Sequence, residues 1–374
     1  MQASTAPAVA APVPERPRLS TIDRFLPVWI LAAMALGILL GRVFPDLGAA
    51  LDQVQVAGVS LPIALGLLWM MYPVLARVKY ESLGRFRAQG RLFATSMVFN
   101  WLLGPALMFT LAWVLLPDLP HYRNGLVLIG LARCIAMVLI WNMLARGDGD
   151  AAAVLVALNS LFQILFYSVL GWFYLTALPG WLGAEGTAFT VSMWDIAKSV
   201  LIFLGIPLAA GAATRLLLVP RRGAAWYDTV LMPRLGPTAL LGLLYTIVLM
   251  FAMQGDRILA APLDVARIAV PLVIYFLVMF TLAFVVSHRL GFSYPETAAL
   301  SFTAAGNNFE LAIAVAVGVF GIASGEALAG VVGPLIEVPV LLALVYVSLW
   351  LQARLFPGGA QGAASPAAPE CAAP

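Results

Sequence analysis

Four side chains that can titrate or bind a soft ligand lie inside apolar stretches of the sequence: Arg133, Cys134, Glu310 and Glu337. An ionisable group in hydrocarbon costs several kcal/mol unless it is paired or hydrated, so each marks a functional site by default. Sulfur is a soft ligand that suits a thiophilic solute, although a lone buried cysteine also serves as a small apolar residue. Burial favours the neutral form of a carboxylate, which makes both glutamates candidate proton carriers.

The motif around Gly306, Asn307 and Asn308 predicts a break in a helix. Glycine loosens the backbone, and the two amide side chains can satisfy the freed backbone groups. Glu310 follows Asn307 by three residues and shares its face where the helix resumes. A broken helix offers dipoles and free carbonyls to a ligand. In the alternative, the motif packs against a neighbouring helix and Glu310 belongs to an internal ion pair.

Glu337 stands between Pro334 and Pro339, which remove backbone donors and favour a kink. Its carboxylate is either a proton carrier or the partner of Arg133 in an ion pair. Arg133 has five donors and cannot become neutral, so it must find carboxylates or carbonyls. We expect Glu310 to be its main partner.

The two halves of the chain show a weak internal correspondence. The shift along the chain that places Arg133 on Asn307 also places Gln163 on Glu337, so polar interruptions recur in the same serial helices of each half. Three supporting polar residues accompany them in the first half: Asn142, Asn159 and Gln163.

Composition defines the environment of these residues. Apolar types make up 62% of the 374 residues and charged types 10%, against about 25% charged in soluble domains. This excludes a soluble enzyme, a disordered chain and a disulfide-built secreted domain. The net charge of +3 comes from basic residues in short loops, where they report orientation and not a nucleic-acid partner.

The apolar runs predict an all-α polytopic membrane protein with ten transmembrane helices. The spans are 27–41, 60–75, 93–116, 125–144, 151–178, 196–218, 235–253, 266–286, 297–320 and 328–351.

The bias of basic residues places both termini in the cytoplasm. Ten spans with glycine and proline interruptions predict two inverted five-helix repeats, 27–178 and 196–351. Residues 1–26 and 357–374 are predicted to be disordered cytoplasmic tails, and the second contains Cys371.

Enzyme motifs are poorly represented in the sequence. It has no His-Glu-x-x-His, nucleophile elbow or phosphate loop. Gly147-Asp148-Gly149-Asp150 and Tyr227-Asp228 match pieces of the intramembrane aspartyl protease signature. Both pieces fall in predicted loops and in reversed order, so a protease is disfavoured.

Three stretches carry a family resemblance that covers nearly the whole chain. They are Leu131 to Asp148, with Arg133-Cys134 at its start, Asn307 to Ala314, and Glu337 to Leu342. Here the sequence resembles the arsenical-resistance arsenite efflux permeases of the bile acid/arsenite/riboflavin transporter superfamily. The resemblance implies ten helices with broken, crossed helices 4 and 9.

The same resemblance implies that the cysteine of the fourth helix, Cys134, and the glutamate of the ninth, Glu310, are needed for transport. It also implies export of trivalent arsenic, sometimes antimony, driven by the proton gradient, with no cofactor.

Taken together, the sequence predicts an arsenite exporter of the plasma (inner) membrane that exchanges As(III) for protons by alternating access. Its only partners are the small inorganic substrate and the lipid bilayer, with no obligate protein partner. Cys134, Asn307, Asn308 and Glu310 are expected to bind substrate, with Cys134 as the metalloid ligand. Proton coupling or ion pairing falls to Arg133, Glu310 and Glu337. The alternative on the same fold is a sodium-coupled symporter of organic anions, with sodium at Asn307, Asn308 and Glu310 and the anion at Arg133.

Overall fold

The computed structural model describes residues 25–51, 53–56, 59–78, 90–135, 137–183, 192–260 and 262–356. The tail predicted for 1–26 lies outside the described residues except for its last two positions. The tail predicted for 357–374, with Cys371, lies wholly outside them.

The described chain is almost entirely helical. A pair of two-residue antiparallel strands, β1 (Gln55–Val56) and β2 (Val59–Ser60), precedes the third helix. The helices in chain order are α1 (Leu26–Val43), α2 (Leu47–Leu51), α3 (Leu61–Ala76), α4 (Gly90–Val98), α5 (Gly104–Leu115), α6 (Pro120–Leu131), α7 (Met137–Leu144), α8 (Gly149–Trp172), α9 (Leu178–Trp181), α10 (Met193–Val200), α11 (Ile206–Arg222), α12 (Ala224–Trp226), α13 (Met232–Ala260), α14 (Pro262–Arg289), α15 (Tyr294–Ala305), α16 (Phe309–Phe320) and α17 (Gly325–Leu355).

Four five-residue π-helical turns join consecutive helices into longer continuous helices. They are Phe99–Leu103, Phe173–Ala177, Leu201–Gly205 and Tyr227–Leu231. Within the described residues, six single or joined helices are long and apolar enough to cross a membrane: Gly90–Leu115, Gly149–Trp181, Met193–Arg222, Ala224–Met253, Pro262–Arg289 and Gly325–Leu355. Three shorter apolar helices occupy Val28–Val43, Leu61–Ala76 and Phe309–Phe320. The chain is therefore a multi-pass membrane protein.

Two predicted spans are interrupted. The span at 125–144 is divided between α6, which begins earlier at Pro120, and α7, which resumes at Met137. The span at 297–320 is divided between α15 and α16, with the break at 306–308. The residues next to both breaks are buried, which shows that the breaks lie in the interior of the protein.

The helices pack in two groups. In one, α13 lies along α1 and α3, and α11 also packs on α3. In the other, α14 packs on α15 and α17, while α6 packs on α5 and α17. Both interrupted spans belong to this second group, which therefore positions the polar residues singled out in the sequence.

Local sequence sets where these helices begin. Ser293 and Glu296 form a capping box at the start of α15, in which the Glu296 carboxylate accepts from the Ser293 backbone N–H at 2.9 Å. The Ser324 hydroxyl caps α17 by accepting from the Ala327 N–H at 3.1 Å. Such caps satisfy donors that a helix end otherwise leaves unpaired.

Candidate functional site at the crossing of two broken helices

The two helix breaks cross and are joined by backbone hydrogen bonds. The Cys134 N–H donates to the Gly306 carbonyl at 3.4 Å, and the Asn308 N–H donates to the Ala132 carbonyl at 3.0 Å. The shift along the chain that places Arg133 on Asn307 also places Ala132 on Gly306 and Cys134 on Asn308. The two hydrogen bonds are therefore equivalent, because each break donates one of them and accepts the other. The crossing is therefore locally two-fold symmetric.

In each break, one further backbone N–H group donates to a side chain of the next long helix along the chain. The Arg133 N–H donates to Gln163 Oε1 at 3.0 Å, and the Asn307 N–H donates to Glu337 Oε1 at 3.1 Å. Arg133 and Asn307 also pair as an antiparallel bridge. The same shift relates the two side-chain contacts, so the weak correspondence in the sequence has a structural counterpart at these residues.

The side chain of Arg133 is completely buried, with 0% exposed, and binds neutral oxygen atoms. Its Nη1 donates to the Tyr275 hydroxyl at 2.9 Å, and its Nη2 donates to the Gly130 carbonyl. Nε is buried without a partner. Among the described residues, Arg133 forms no salt bridge with Glu310, so the expected ion pair is wrong. It also forms none with Glu337, the alternative partner. A tyrosine and a carbonyl replace the predicted carboxylate because α14 and the end of α6 lie closer to the guanidinium.

Space for this guanidinium comes from Gly104. A methyl group there would lie 2.8 Å from Arg133 Nη1 and 3.1 Å from the Tyr275 hydroxyl. Gly104 directly follows the π-helical turn Phe99–Leu103, which shifts the positions of the side chains around the continuous helix formed by α4 and α5. Sequence reasoning missed Gly104 and Tyr275. The Gly104-Pro105 pair and a tyrosine within an apolar span were the only available signals.

Cys134 lies immediately before the first turn of α7. Its sulfur accepts from the Val138 N–H at 3.3 Å, and the residue is 2% exposed. The sulfur therefore accepts one of the backbone donors that the start of a helix leaves unpaired. Gly306 packs directly against it, since an added Cβ there would lie 3.0 Å from Cys134 Cβ. The second break thus forms one wall around the sulfur.

Asn307 and Asn308 organise the second break. The Asn307 amide donates to the carbonyls of Ile129, at 2.7 Å, and Ala132, at 3.2 Å. The Asn308 Oδ1 caps α16 by accepting from the Leu311 N–H at 3.0 Å. Asn307 Oδ1 and Asn308 Nδ2 are buried without partners, so each retains capacity to bind a polar solute.

Glu310 occupies the first turn of α16, where the helix dipole favours a carboxylate. It is partly exposed, whereas Glu337 is 3% exposed and bound to the break. The two glutamates therefore differ in surroundings, since Glu337 accepts from the break directly and Glu310 follows it on the resumed helix.

The supporting polar residues divide into two sets. Asn159 Oδ1 accepts from Trp101 Nε1 at 3.3 Å, and both Asn159 Nδ2 and Gln163 Nε2 are buried donors without partners. Asn142 lies elsewhere, at the far end of α7, and its Oδ1 is also without a partner. Trp101 is a further residue that sequence reasoning missed.

A cavity of about 1060 Å³ lies on one side of the broken helix α6–α7. It lies between the end of α7 and the start of α13, and its lining includes Arg77, Asn142, Arg146, Asp150 and Asp228. Cys134 is not part of that lining. The sulfur is therefore closed off from this cavity in the conformation described.

The protease-like aspartates have structural partners. Asp148 Oδ1 accepts from the N–H groups of Asp150 and Ala151 at 2.9 Å and so caps α8. Asp228 pairs with Arg215 at 3.4 Å. These contacts are those of a helix cap and an ion pair between neighbouring helices.

Comparison with known proteins gives concordant matches. The model of the Sodium Bile acid symporter family matches residues 64–261. An arsenical-resistance protein Acr3 of Corynebacterium glutamicum is 53% identical over 340 residues, covering 91% of this chain and 92% of that protein. An arsenical-resistance protein Acr3 of Alkaliphilus metalliredigens is 32% identical, covering 87% and 92%. An uncharacterized transporter of Synechocystis is 35% identical, covering 87% and 88%.

Proposed function

Since the chain belongs to the arsenical-resistance Acr3 family, whose members are transporters and not enzymes, we propose that it exports arsenite from the cytoplasm in exchange for protons. The substrate is neutral trihydroxyarsenic(III), with antimonite as a related solute. Export proceeds by alternating access in the plasma membrane, with both termini in the cytoplasm and no obligate protein partner.

The observation that carries this proposal is the symmetric crossing of the two breaks. Half-helix ends that meet at a polar site in the membrane are the arrangement of secondary transporters with inverted repeats. The contacts that recur in equivalent positions of the two halves support ten spans in two inverted five-helix repeats. Rocking of the two helix groups about the crossing then opens the site to each side in turn.

The chemistry of the site suits a small hydroxylated metalloid. Cys134 offers one soft sulfur, and the free amide groups of Asn159, Gln163 and Asn308 can bind hydroxyl oxygens. The chain has two cysteines, of which Cys134 alone lies among the described residues. A single sulfur ligand favours weak, reversible binding, and a carrier must release its cargo.

Proton coupling is assigned to Glu310 or Glu337. Glu337 Oε1 accepts from the Asn307 N–H, so a proton on this carboxylate changes the hydrogen bonding of the break itself. Glu310, on the first turn after the break, changes the charge at the end of α16. Coupling requires a group whose protonation differs between the two states of the carrier.

Substitution of Cys134 by serine tests the substrate site. Serine keeps the size but loses the soft sulfur, so arsenite uptake into everted vesicles should fall at least about tenfold while protein abundance is unchanged. Cys371→Ser, in the predicted tail, serves as the matched control and should transport normally. Wild-type uptake by the Cys134→Ser protein would remove sulfur ligation from the mechanism.

Glutamine at positions 310 and 337 separates the two carboxylates. Each change keeps a hydrogen-bonding side chain but fixes it as neutral, so acceleration of uptake by a pH gradient should be lost in the variant that carries the proton. If both Glu310→Gln and Glu337→Gln retain that acceleration, proton exchange through these glutamates is wrong.

The second candidate, sodium-coupled uptake of organic anions, is favoured by the name of the matching family and by the buried cation Arg133. Arsenite export with no sodium-dependent uptake of anions into right-side-out vesicles separates the two functions.

A further inference from the structure

A second polar cluster lies away from the helix breaks, where α6 and α17 begin. Glu326 is 1% exposed, and its Oε1 lies 3.0 Å from His121 Nδ1 and accepts from Asn124 Nδ2 at 3.4 Å. Glu326 Oε2 is buried without a partner. The side chain of His121, in contrast, is 60% exposed. A buried carboxylate is thus joined to solvent through one imidazole.

Two cavities meet at this imidazole. His121 lines one of about 520 Å³, together with Asp118 and Asp264, and one of about 720 Å³, together with Gln55 and Glu326. The cluster lies at the opposite end of α17 from Arg354. In the proposed topology Arg354 is cytoplasmic, so these cavities open on the extracellular face.

The other charged groups around the cluster form no ion pair with Glu326 among the described residues. Asp118, which precedes α6, is paired with Arg267 of α14. The Tyr122 hydroxyl donates to Asp264 at 3.0 Å. The Arg123 guanidinium lies 3.9 Å from the centre of the Trp113 ring, and its Nε and Nη2 are buried without hydrogen-bond partners. In the described part of the chain, His121 is the only ion-pair partner found for Glu326.

We propose that His121 and Glu326 form a second proton-binding site, at which protons from the extracellular side enter the exchange cycle. This inference rests on the proposed proton-coupled export. Imidazole is the side chain that ordinarily gains and loses charge near neutral pH. A proton held between His121 Nδ1 and Glu326 Oε1 gives the buried carboxylate a counter-charge, and the exposed imidazole gives that proton a route from the cavities.

The pair is mechanically connected to the helix break. Glu326 and Glu337 are eleven residues apart on α17, which is about three turns and about 16 Å along one face. Gly330 and Gly333 lie on that face between them and pack closely against side chains of α16. Charging or discharging the pair therefore acts on the helix that holds Glu337 against the break.

Uptake of arsenite into everted vesicles tests the inference, with the luminal pH varied from 6 to 8 and the outer pH shifted in parallel, so that the pH difference across the membrane stays constant. The lumen then corresponds to the extracellular face. Wild-type uptake should fall at least about threefold over this range, because fewer protons are available to the pair at the luminal face. His121→Gln and Glu326→Gln each keep a hydrogen-bonding side chain but cannot hold a proton between the two residues, so their uptake should change less than about 1.5-fold. His288→Gln, in the only other histidine, is the matched control and should keep the wild-type profile.

The outcomes are distinguishable. Loss of luminal pH dependence in both pair variants at wild-type abundance supports the inference. If either variant keeps the wild-type luminal profile, the pair is not a proton site, and the proposed export stands. If wild-type protein moves arsenite without any response to pH, the coupling proposal fails and the pair has no place in it. Should Glu326→Gln be poorly expressed, the exposed His121→Gln decides the result.

Discussion

The hydroxyl of Tyr275 should contribute strongly to stability because it accepts a hydrogen bond from a buried charge. Tyr275→Phe keeps the aromatic ring, which is 0% exposed, and removes only the acceptor at 2.9 Å from Arg133 Nη1. Hydrogen bonds to charged groups contribute about 1.5–3 kcal/mol, a factor of about 10–150 in an equilibrium constant. Since Arg133 Nε already has no partner, the guanidinium has no spare acceptor to replace the lost one.

Tyr167→Phe is the matched control. Tyr167 is also 0% exposed, and its hydroxyl donates to the neutral Leu128 carbonyl at 2.8 Å. A neutral hydrogen bond between membrane helices contributes about 0.6 kcal/mol on average. The two variants therefore differ in whether the broken hydrogen bond involves a charge.

The assay is the free energy of unfolding of each purified protein in mixed micelles titrated with a denaturing detergent, measured together with arsenite uptake in vesicles. Tyr275→Phe should lose at least about 1 kcal/mol more than Tyr167→Phe, and should also transport more slowly because Arg133 loses its position. Equal losses in the two variants would refute the reasoning, since they would mean that the Tyr275 contact has no charged character or that water replaces it.

Two further predictions concern other parts of the protein. Gly306→Ala should reduce uptake severalfold and lower the free energy of unfolding by about 1–3 kcal/mol, because the new methyl group overpacks against Cys134 at 3.0 Å; normal uptake and stability would show that the wall around the sulfur yields easily. The Arg267 guanidinium, mainly through its hydrogen bond, holds the pKa of Asp118 below its usual range. This contribution to stability is present above the ordinary aspartate pKa of about 4 and is lost as the pH falls through the lowered value. Asp118→Asn should therefore lower the melting temperature slightly at pH 7 and leave it unchanged at the acid end of the range; an equal effect at both pH values would contradict the ion pair.

Several features of the site follow from local chemistry and were predictable. The break at 306–308 is marked by a glycine and two asparagines, and Asn308 caps the resumed helix by accepting from the N–H of Leu311. The family membership, expected from the stretches around Cys134 and Asn307, is confirmed by the comparisons. The ten-span count, the inverted repeats and the roles of the site residues stay predictions.

Contacts between distant residues were not predictable in the same way. Arg133 was expected to bind Glu310, and it binds Tyr275 on α14 instead, 142 residues away along the chain. An apolar span has almost the same composition on every face, so its sequence does not show which side chain faces which neighbour. The sequence predicts that Arg133 is a buried cation, but it does not predict which residue binds it.

By itself the sequence determined that this protein crosses the membrane repeatedly and which polar residues lie within its apolar segments, because the free energy of placing a side chain in hydrocarbon depends on its own chemistry. The tertiary structure decided how the two breaks cross and that Gln163 and Glu337 satisfy them from equivalent positions. It also decided that His121 and Glu326, which are 205 residues apart, form one pair. Such pairings depend on the rotation and depth of packed helices, and these are set by side-chain fit across the whole bundle.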